Sequence, residues 1–188
     1  MKPQTKRRFY LNEFKAISHA ISTYEDFNLL VNHIAEGTAR SFRAKGCSIM
    51  IFDERENQLF TVGSYGISDA YLHKGPIFAD EKYCSFFSGE PIFVKDMSTD
   101  PRIHYPEEAV KEGITSMLCV PIKHRRNVIG SIRIYQSESR PFHPEDVSAM
   151  CVLAEQLGLV IENNGLRNFA EKIKTAVESL PQRVLEDL

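Results

Sequence analysis

No apolar run in the sequence approaches the roughly 20 residues that cross a bilayer. Nor does an apolar block follow the basic residues near the N-terminus, so neither membrane anchor nor signal peptide is expected, and the expected location is cytoplasmic. Charge of one sign is also missing. The 23 basic and 25 acidic side chains are interspersed, for a formal charge of −2, and no field of the whole molecule draws it toward nucleic acid or an anionic membrane. Neither is an expected partner. No C-x-x-C pair occurs among Cys47, Cys84, Cys119 and Cys151. In a chain too long to need stapling, these read as reduced, mostly buried thiols. Low-complexity tracts are absent too, and 188 residues at 43% hydrophobic content fit one domain with an ordinary core. The basic cluster Lys2, Lys6, Arg7 and Arg8 is expected to be a solvated, flexible end over residues 1–12.

What the chain has is periodicity. Phe14, Ile17, Ile21 and Tyr24 recur at helical spacing, and Ser22 with Glu25 three residues on has the form of a capping box opening a second helix. In that helix Phe27, Leu30, Val31, Ile34, Ala35, Thr38, Ala39 and Phe42 make one continuous apolar stripe, which must lie on a core. Gly46 is its expected left-handed stop. Residues 47–52 are apolar on both alternating faces, the pattern of a central strand covered above and below; 53–57 turn it and 58–65 return. Gly66 and the Gly75–Pro76 pair punctuate a loop. Residues 80–87 are expected to form a short helix ending at Gly89, and 91–95 a short edge strand. Residues 97–113, rich in Pro, Asp and Glu, hold about one helical turn at 107–111 and are the most irregular stretch, the kind that carries binding on a rigid scaffold.

The stretch SMLCVPIKHRRNVIGSIRIY, residues 116–135, places two apolar runs around a charged turn. Its first strand is apolar on both faces. The second sets Ser131, Arg133 and Tyr135 on one side and Gly130, Ile132 and Ile134 on the other, so one face is greasy and the other partly polar. Pro144, followed by Glu145 and Asp146, is a strong helix start, and the apolar pattern from Val147 through Ile161 should cover the greasy face. This order of elements predicts an α+β fold, an antiparallel sheet with helices on both faces, and not a Rossmann fold.

Three segments, SGEPIFVKDMSTDPR, GITSMLCVPIKHRRNVIGSIRIY and RPFHPEDVSAMCVLAEQLGLVIEN, taken in series and at this spacing, resemble the GAF domains of signalling proteins. The resemblance implies a GAF/PAS-like antiparallel sheet of five or six strands with the N- and C-terminal helices on one face. Over the other face, short helices and loops usually enclose a small-molecule pocket. The signature of cyclic-nucleotide GAF domains has no counterpart here. The clustered cysteine trio of free methionine sulfoxide reductases is missing as well, since these four thiols fall in separate elements, and no residue matches the bilin-attachment cysteine of phytochromes. An enzyme is therefore not the expectation.

The candidate ligand residues are Ser131, Arg133 and Tyr135 on the polar side of the last strand, with Phe78, Phe86, Met97, Ile103, Tyr105 and Cys119 around them. Arg133 is the sharpest, because a guanidinium in such a cavity clamps a carboxylate or phosphate through two parallel hydrogen bonds; its plainer role is an ion pair at a sheet rim. Cys84 and Cys119 as oxidant sensors compete with simple buried packing. His104 in the irregular loop is the one candidate axial ligand for a haem. No cofactor is otherwise indicated.

The last helix reads as two stripes: Met150, Leu153, Leu157, Val160 and Asn164 beside Val147, Ala154 and Ile161. Leu166, Phe169, Ile173, Ala176 and Leu180 then extend an apolar seam up to Pro181. The expected division is a flexible 1–12, a GAF domain over 13–165 and a helical extension over 166–188. Self-association through the first and last helices, as a parallel bundle of four, is the economical use of that seam; folding back on its own domain is the rival. The resulting expectation is a regulatory module that binds an unidentified small molecule and signals through paired helices. It would act on partner proteins as a stand-alone module, or within a histidine kinase or transcription regulator, with a reductase-like enzyme or a ligand-free dimerisation domain as alternatives.

Overall fold

The structure, a computed structural model, describes residues 6–24, 26–79 and 88–178. Two N-terminal helices, α1 (Leu11–Thr23) and α2 (Phe27–Phe42), lead into the hairpin β1 (Gly46–Asp53) and β2 (Gln58–Tyr65). A connecting region follows, with α3 (Asp69–Leu72), β3 (Ile77–Phe78), β4 (Ile92–Val94) and α4 (Pro106–Glu112). The hairpin β5 (Ser116–His124) and β6 (Asn127–Gln136) and the long helix α5 (Pro144–Glu178) complete the chain. The strands form one six-stranded antiparallel sheet in the order β3-β2-β1-β6-β5-β4. The two hairpins thus meet through β1 and β6, which bury their backbone hydrogen bonds on both edges.

The stripe of α2 lies where its spacing demands: Leu30, Val31, Ile34, Ala35, Ala39 and Phe42 are buried. They share one core with Ile17 and Ile21 of α1, Ile49 of β1, Val120 and Ile122 of β5, Ile132 and Ile134 of β6, and Met150, Leu153, Ala154 and Leu157 of α5. We call this side of the sheet proximal. Two glycines set the closeness of its helices. A Cβ at Gly63 would stand 2.8 Å from Val31 Cγ2, so α2 rests directly on β2; one at Gly158 would stand 2.0 Å from the Lys123 carbonyl oxygen, so α5 presses on the end of β5. Phe9, fully buried, stacks on Phe42 at 5.4 Å between ring centroids.

Several expectations need correction. Ser22 does not open α2: it belongs to the last turn of α1, where its hydroxyl donates to the Ser18 and His19 carbonyls, and Tyr24 caps that helix. Asp26 caps α2, its carboxylate accepting from Leu29 N at 3.0 Å; Glu25 lies outside the described residues. The left-handed stop is Arg43 (φ 48°), not Gly46, which begins β1.

The basic N-terminus is not loose in its described part. Arg8 N and Phe9 N donate to the two carboxylate oxygens of buried Asp146 at 2.8 and 3.0 Å, and Arg8 Nη1 donates to the Phe42 carbonyl. Lys2 and the expected helix over 80–87 lie outside the described residues.

The division of α5 into two stripes with two partners also fails. Met150, Leu153 and Leu157 are buried in the same core as Ala154, and Val160, Val147 and Ile161 pack against it. Past that core the helix runs on without folding back, and residues 165–168 and 170–175 are exposed.

Candidate ligand-binding site

Side chains directly opposite one another in an antiparallel sheet share a face. The register therefore groups the other, distal face into rows: Met50, Ser131 and Pro121; Ser48, Arg133 and Cys119; Gly46, Tyr135 and Met117. These rows cross the middle of the sheet, so all three β6 candidates sit on its best-supported strands. Arg133 and Ser131 are each only 3% exposed. A buried guanidinium in the middle of a sheet is costly unless something compensates its charge.

Above these rows lies a thin second layer. Tyr71 of α3, Val94, Met97, Ala109 of α4, Ile114, Met117, Cys119 and Tyr135 form one apolar cluster, with Ile67, Ile92 and Ile103 packed against it. Tyr71 meets Tyr135 edge-on at 5.9 Å, and the Tyr135 hydroxyl shares a hydrogen bond of 3.0 Å with Ser48 Oγ. A smaller cluster of Met50, Leu59 and Ile77, backed by Phe52 and Tyr105, continues the layer toward β2. The Tyr105 hydroxyl donates to the Pro76 carbonyl at 2.8 Å and occupies the space over Gly75, which needs its positive φ of 135° there.

A second cation comes down on the same place. Lys74 Nζ donates to the Tyr71 carbonyl at 2.9 Å and sits 3.8 Å from the centre of the Tyr71 ring. Burial, then the nearby Arg133, push its pKa down to about 8, against an opposing pull from Glu112. Glu112 itself is engaged elsewhere, accepting from Ser68 N at 3.1 Å and from Ser68 Oγ, and pairing with Lys45 at 3.3 Å. Burial alone would raise the Glu112 pKa, but the Ser68 hydrogen bonds and Lys45 outweigh it and hold the pKa low. A groove of about 610 Å³ opens to solvent beside β2, lined in part by Met50, Leu59, Leu72, His73, Gly75 and Ile77.

Of the residues picked out by sequence, Ser131, Arg133, Tyr135, Met97, Ile103 and Cys119 gather on or over the central rows, and Tyr105 stands at the β2 end. Phe78 does not join them. It is 43% exposed on the outer side of the short strand β3, and its neighbour Ile77 takes the inward position. Phe86 and Cys84 lie outside the described residues. His104 is half-buried, with its ring tilted toward Tyr105 at 6.3 Å. Sequence reasoning missed Lys74, Tyr71 and Ser48. Ser48 was legible as the one polar residue at the heart of an apolar strand; Lys74 was hidden in a loop read only for its glycines.

Among the described residues no group of three or more His, Cys, Asp and Glu is placed to hold a metal ion. Three thiols are described: Cys47 in the proximal core, Cys151 of α5 packed against that core, and Cys119 in the distal cluster. Burial raises the pKa of Cys47 and of Cys151, which works against thiolate chemistry at both. No helix among the described residues is long and apolar enough to cross a membrane.

An antiparallel six-stranded sheet with α1, α2 and α5 on one face, and loops over a polar centre on the other, defines a GAF/PAS-like domain. The GAF domain family model matches residues 26–161, and the chain belongs to that family. Solved structures share the fold. The GAF domain of a phosphoenolpyruvate-protein phosphotransferase from Coxiella burnetii has a TM-score of 0.75 at 19% identity, over 84% of this chain and 95% of that one. The free methionine-R-sulfoxide reductase of Neisseria meningitidis gives 0.66 at 16%, over 79% and 86%. A domain from a Sinorhizobium meliloti protein described as a two-component sensor histidine kinase gives 0.63 at 20%, over 74% and 93%. Comparison with curated protein sequences gives no match. GAF domains are found in signalling proteins, kinases and chemotaxis proteins among them, where they are generally regulatory.

Proposed function

We propose that this domain is a cytoplasmic sensor of a small anionic molecule, held between the distal face of the sheet and its loops, and that occupancy is relayed through α5 helices paired in a homodimer. The observation that carries this reading is the convergence of buried Arg133 and half-buried Lys74 on one spot above the central strands. Two cations desolvated together raise each other's cost, and a carboxylate or phosphate between them would relieve it through charge-assisted hydrogen bonds. The hydroxyls of Ser131, Ser48 and Tyr135 supply further polar contacts, and Met97, Ile103 and Cys119 the apolar wall. The partner would be a histidine kinase or transcription regulator that the helices join or contact. Ligand binding can move such a helix pair only by its difference in affinity between two arrangements, on the order of 1 to 3 kcal/mol.

Native mass spectrometry of the purified protein, incubated with mixtures of small carboxylates and small phosphates, tests the reading. A retained anionic adduct is expected, and Arg133→Met should lose it while keeping its thermal midpoint, because an apolar side chain of similar length replaces a buried charge without a cavity. The same adducts on the Arg133→Met protein would place the ligand elsewhere. A chain that retains no adduct from either mixture would leave the ligand-free dimerisation domain as the better reading.

A further inference from the structure

The described basic residues of the N-terminal segment do not fan out into solvent; they converge with the end of α2. Lys6, Arg7, Arg8, Arg40 and Arg43 line one groove of about 350 Å³, where Glu13 is the one carboxylate among the described residues. Arg8 Nη1 and Arg140 Nη2, the latter from the segment between β6 and α5, both donate to the Phe42 carbonyl, each at 3.1 Å. Two guanidiniums on one oxygen stand close enough to repel. Burial first, then Arg8 and Arg43, lower the Arg140 pKa, with Glu138 pulling the other way. The negative pole of α2 accounts for one such cation at its end. It does not account for five around one hollow.

The nearby carboxylates are engaged elsewhere. Glu13 accepts from Tyr10 N at 3.2 Å, Glu36 pairs with Arg40 at 2.7 Å and Glu145 with Arg7 at 2.5 Å. Asp146 takes the Arg8 and Phe9 N–H groups, and Glu138 stands 3.6 Å from Arg140. Among the described residues Lys6, Arg8 and Arg43 make no ion pair. A guanidinium has five N–H donors, of which Arg8 gives one to Phe42 and Arg43 gives none. We infer that this groove, between the N-terminal segment and the end of α2, binds a compact phosphate-bearing anion of at least two charges, of the diphosphate class. Guanidinium forks match phosphate oxygens two at a time, and cations that converge on one hollow suit a short multivalent anion. A nucleic-acid strand would need them along a track. The groove is separate from the proposed distal site, since it contains neither Arg133 nor Lys74. An anion there fastens the N-terminal segment to α2 by neutralising Lys6, Arg8 and Arg43 together.

Calorimetric titration of the full chain with inorganic pyrophosphate tests the groove. Binding is expected, weakening steeply as sodium chloride is raised. Lys6→Ala/Arg43→Asn should weaken it about tenfold or more with the thermal midpoint retained, because both side chains are exposed and Asn tolerates the left-handed backbone of Arg43 (φ 48°). Arg125→Asn/Arg126→Ala removes two exposed cations from the β5–β6 turn instead. That variant should bind as the unsubstituted chain does, and so should Arg133→Met. No binding by the unsubstituted chain, or full binding by Lys6→Ala/Arg43→Asn, would overturn the inference. Equal losses in the two double variants would overturn it too, by tracing the affinity to overall charge. Binding lost in Arg133→Met alone would place the anion at the distal site. A short single-stranded DNA that displaces pyrophosphate and binds more tightly would make the groove a nucleic-acid contact and overturn the small-molecule occupant.

Discussion

On the proximal face, β6 presents Ile132 and Ile134 to a core drawn from α1, α2 and α5 and four strands; on the distal face, the same strand presents Ser131, Arg133 and Tyr135 to two short helices and loops. The backbone is common to both, so the difference lies in what covers each side. Long amphipathic helices bury whole side chains and exclude polar groups. Short elements cover a face thinly, and polar side chains survive beneath them because loop backbone and hydroxyls are within reach. One face therefore sets stability, and the other is the one proposed to receive a ligand. The comparison breaks if substitutions on the two faces behave alike.

The largest effect is expected from Ile132→Ala. Ile132 is fully buried, level with Ile49 and Val120 on the neighbouring strands, in the centre of a core too well braced to collapse around a cavity. About 2–5 kcal/mol of stability should be lost, read as a fall in the denaturant midpoint. Loss of less than about 1 kcal/mol would mean that the proximal core is not the close-packed unit described above.

Most of that core was legible in the sequence, because it is written in period. The α2 stripe, the two-faced apolar run of β1 and the alternation in β6 each specify a side to bury, and burial followed. Local ends were less legible. Arg43 adopts the left-handed conformation that a glycine nearby was expected to supply, since the helix stops where the chain must turn into β1 and not where glycine is offered. The site was half legible. Alternation alone put Ser131, Arg133 and Tyr135 together, but Lys74 and Tyr71 come from a loop whose path over the sheet has no periodic trace. α5 shows the limit from the other side: its apolar residues run on past the core without a break in pattern, and only burial tells where the core ends.

A smaller loss is expected where the N-terminus is tied down. The Asp146 carboxylate, 1% exposed in the first turn of α5, accepts from two backbone N–H groups of the N-terminal segment. Asp146→Asn keeps one acceptor but turns an NH₂ toward the other donor and removes the negative charge that suits a helix start. About 1–3 kcal/mol should go. Because this junction lies on the proximal side, adduct retention at the distal site should not change. Loss of the adduct in this variant would show that the two sides are coupled more tightly than their separate packing implies.

The distal face should show itself in pH dependence. Lys74 has its pKa lowered to about 8 in the folded chain, against about 10.4 when unfolded. Between those values the unfolded chain binds the extra proton, so stability rises with pH across that window; below about pH 8 both states are protonated and the full cost of the buried charge is present. Lys74→Gln removes this slope. Thermal midpoints taken every half unit from pH 7 to 10 should show the unsubstituted chain gaining on Lys74→Gln above pH 8, with titrating Tyr and Cys residues common to both and cancelling in the difference. A bound anion between Lys74 and Arg133 should shrink the gap, as it would raise the Lys74 pKa. Parallel profiles with no divergence would mean that Lys74 is solvated and not part of the site.

The smallest effect should come from Ser131→Ala, one residue along β6 from Ile132. Ser131 Oγ is buried and makes no hydrogen bond among the described residues. A buried hydroxyl in that position contributes little to folding, since its desolvation is not repaid, and removing it leaves a void no larger than one oxygen atom. Stability should move by less than about 0.5 kcal/mol, or rise slightly, while affinity for the retained anion falls because a donor aimed at the site is gone. Neighbouring residues on one strand would then divide cleanly, Ile132 felt in the fold and Ser131 in the ligand. If Ser131→Ala instead destabilises the chain as strongly as a core substitution, the distal layer is packing for its own sake, and the division between a structural and a receptive face does not hold.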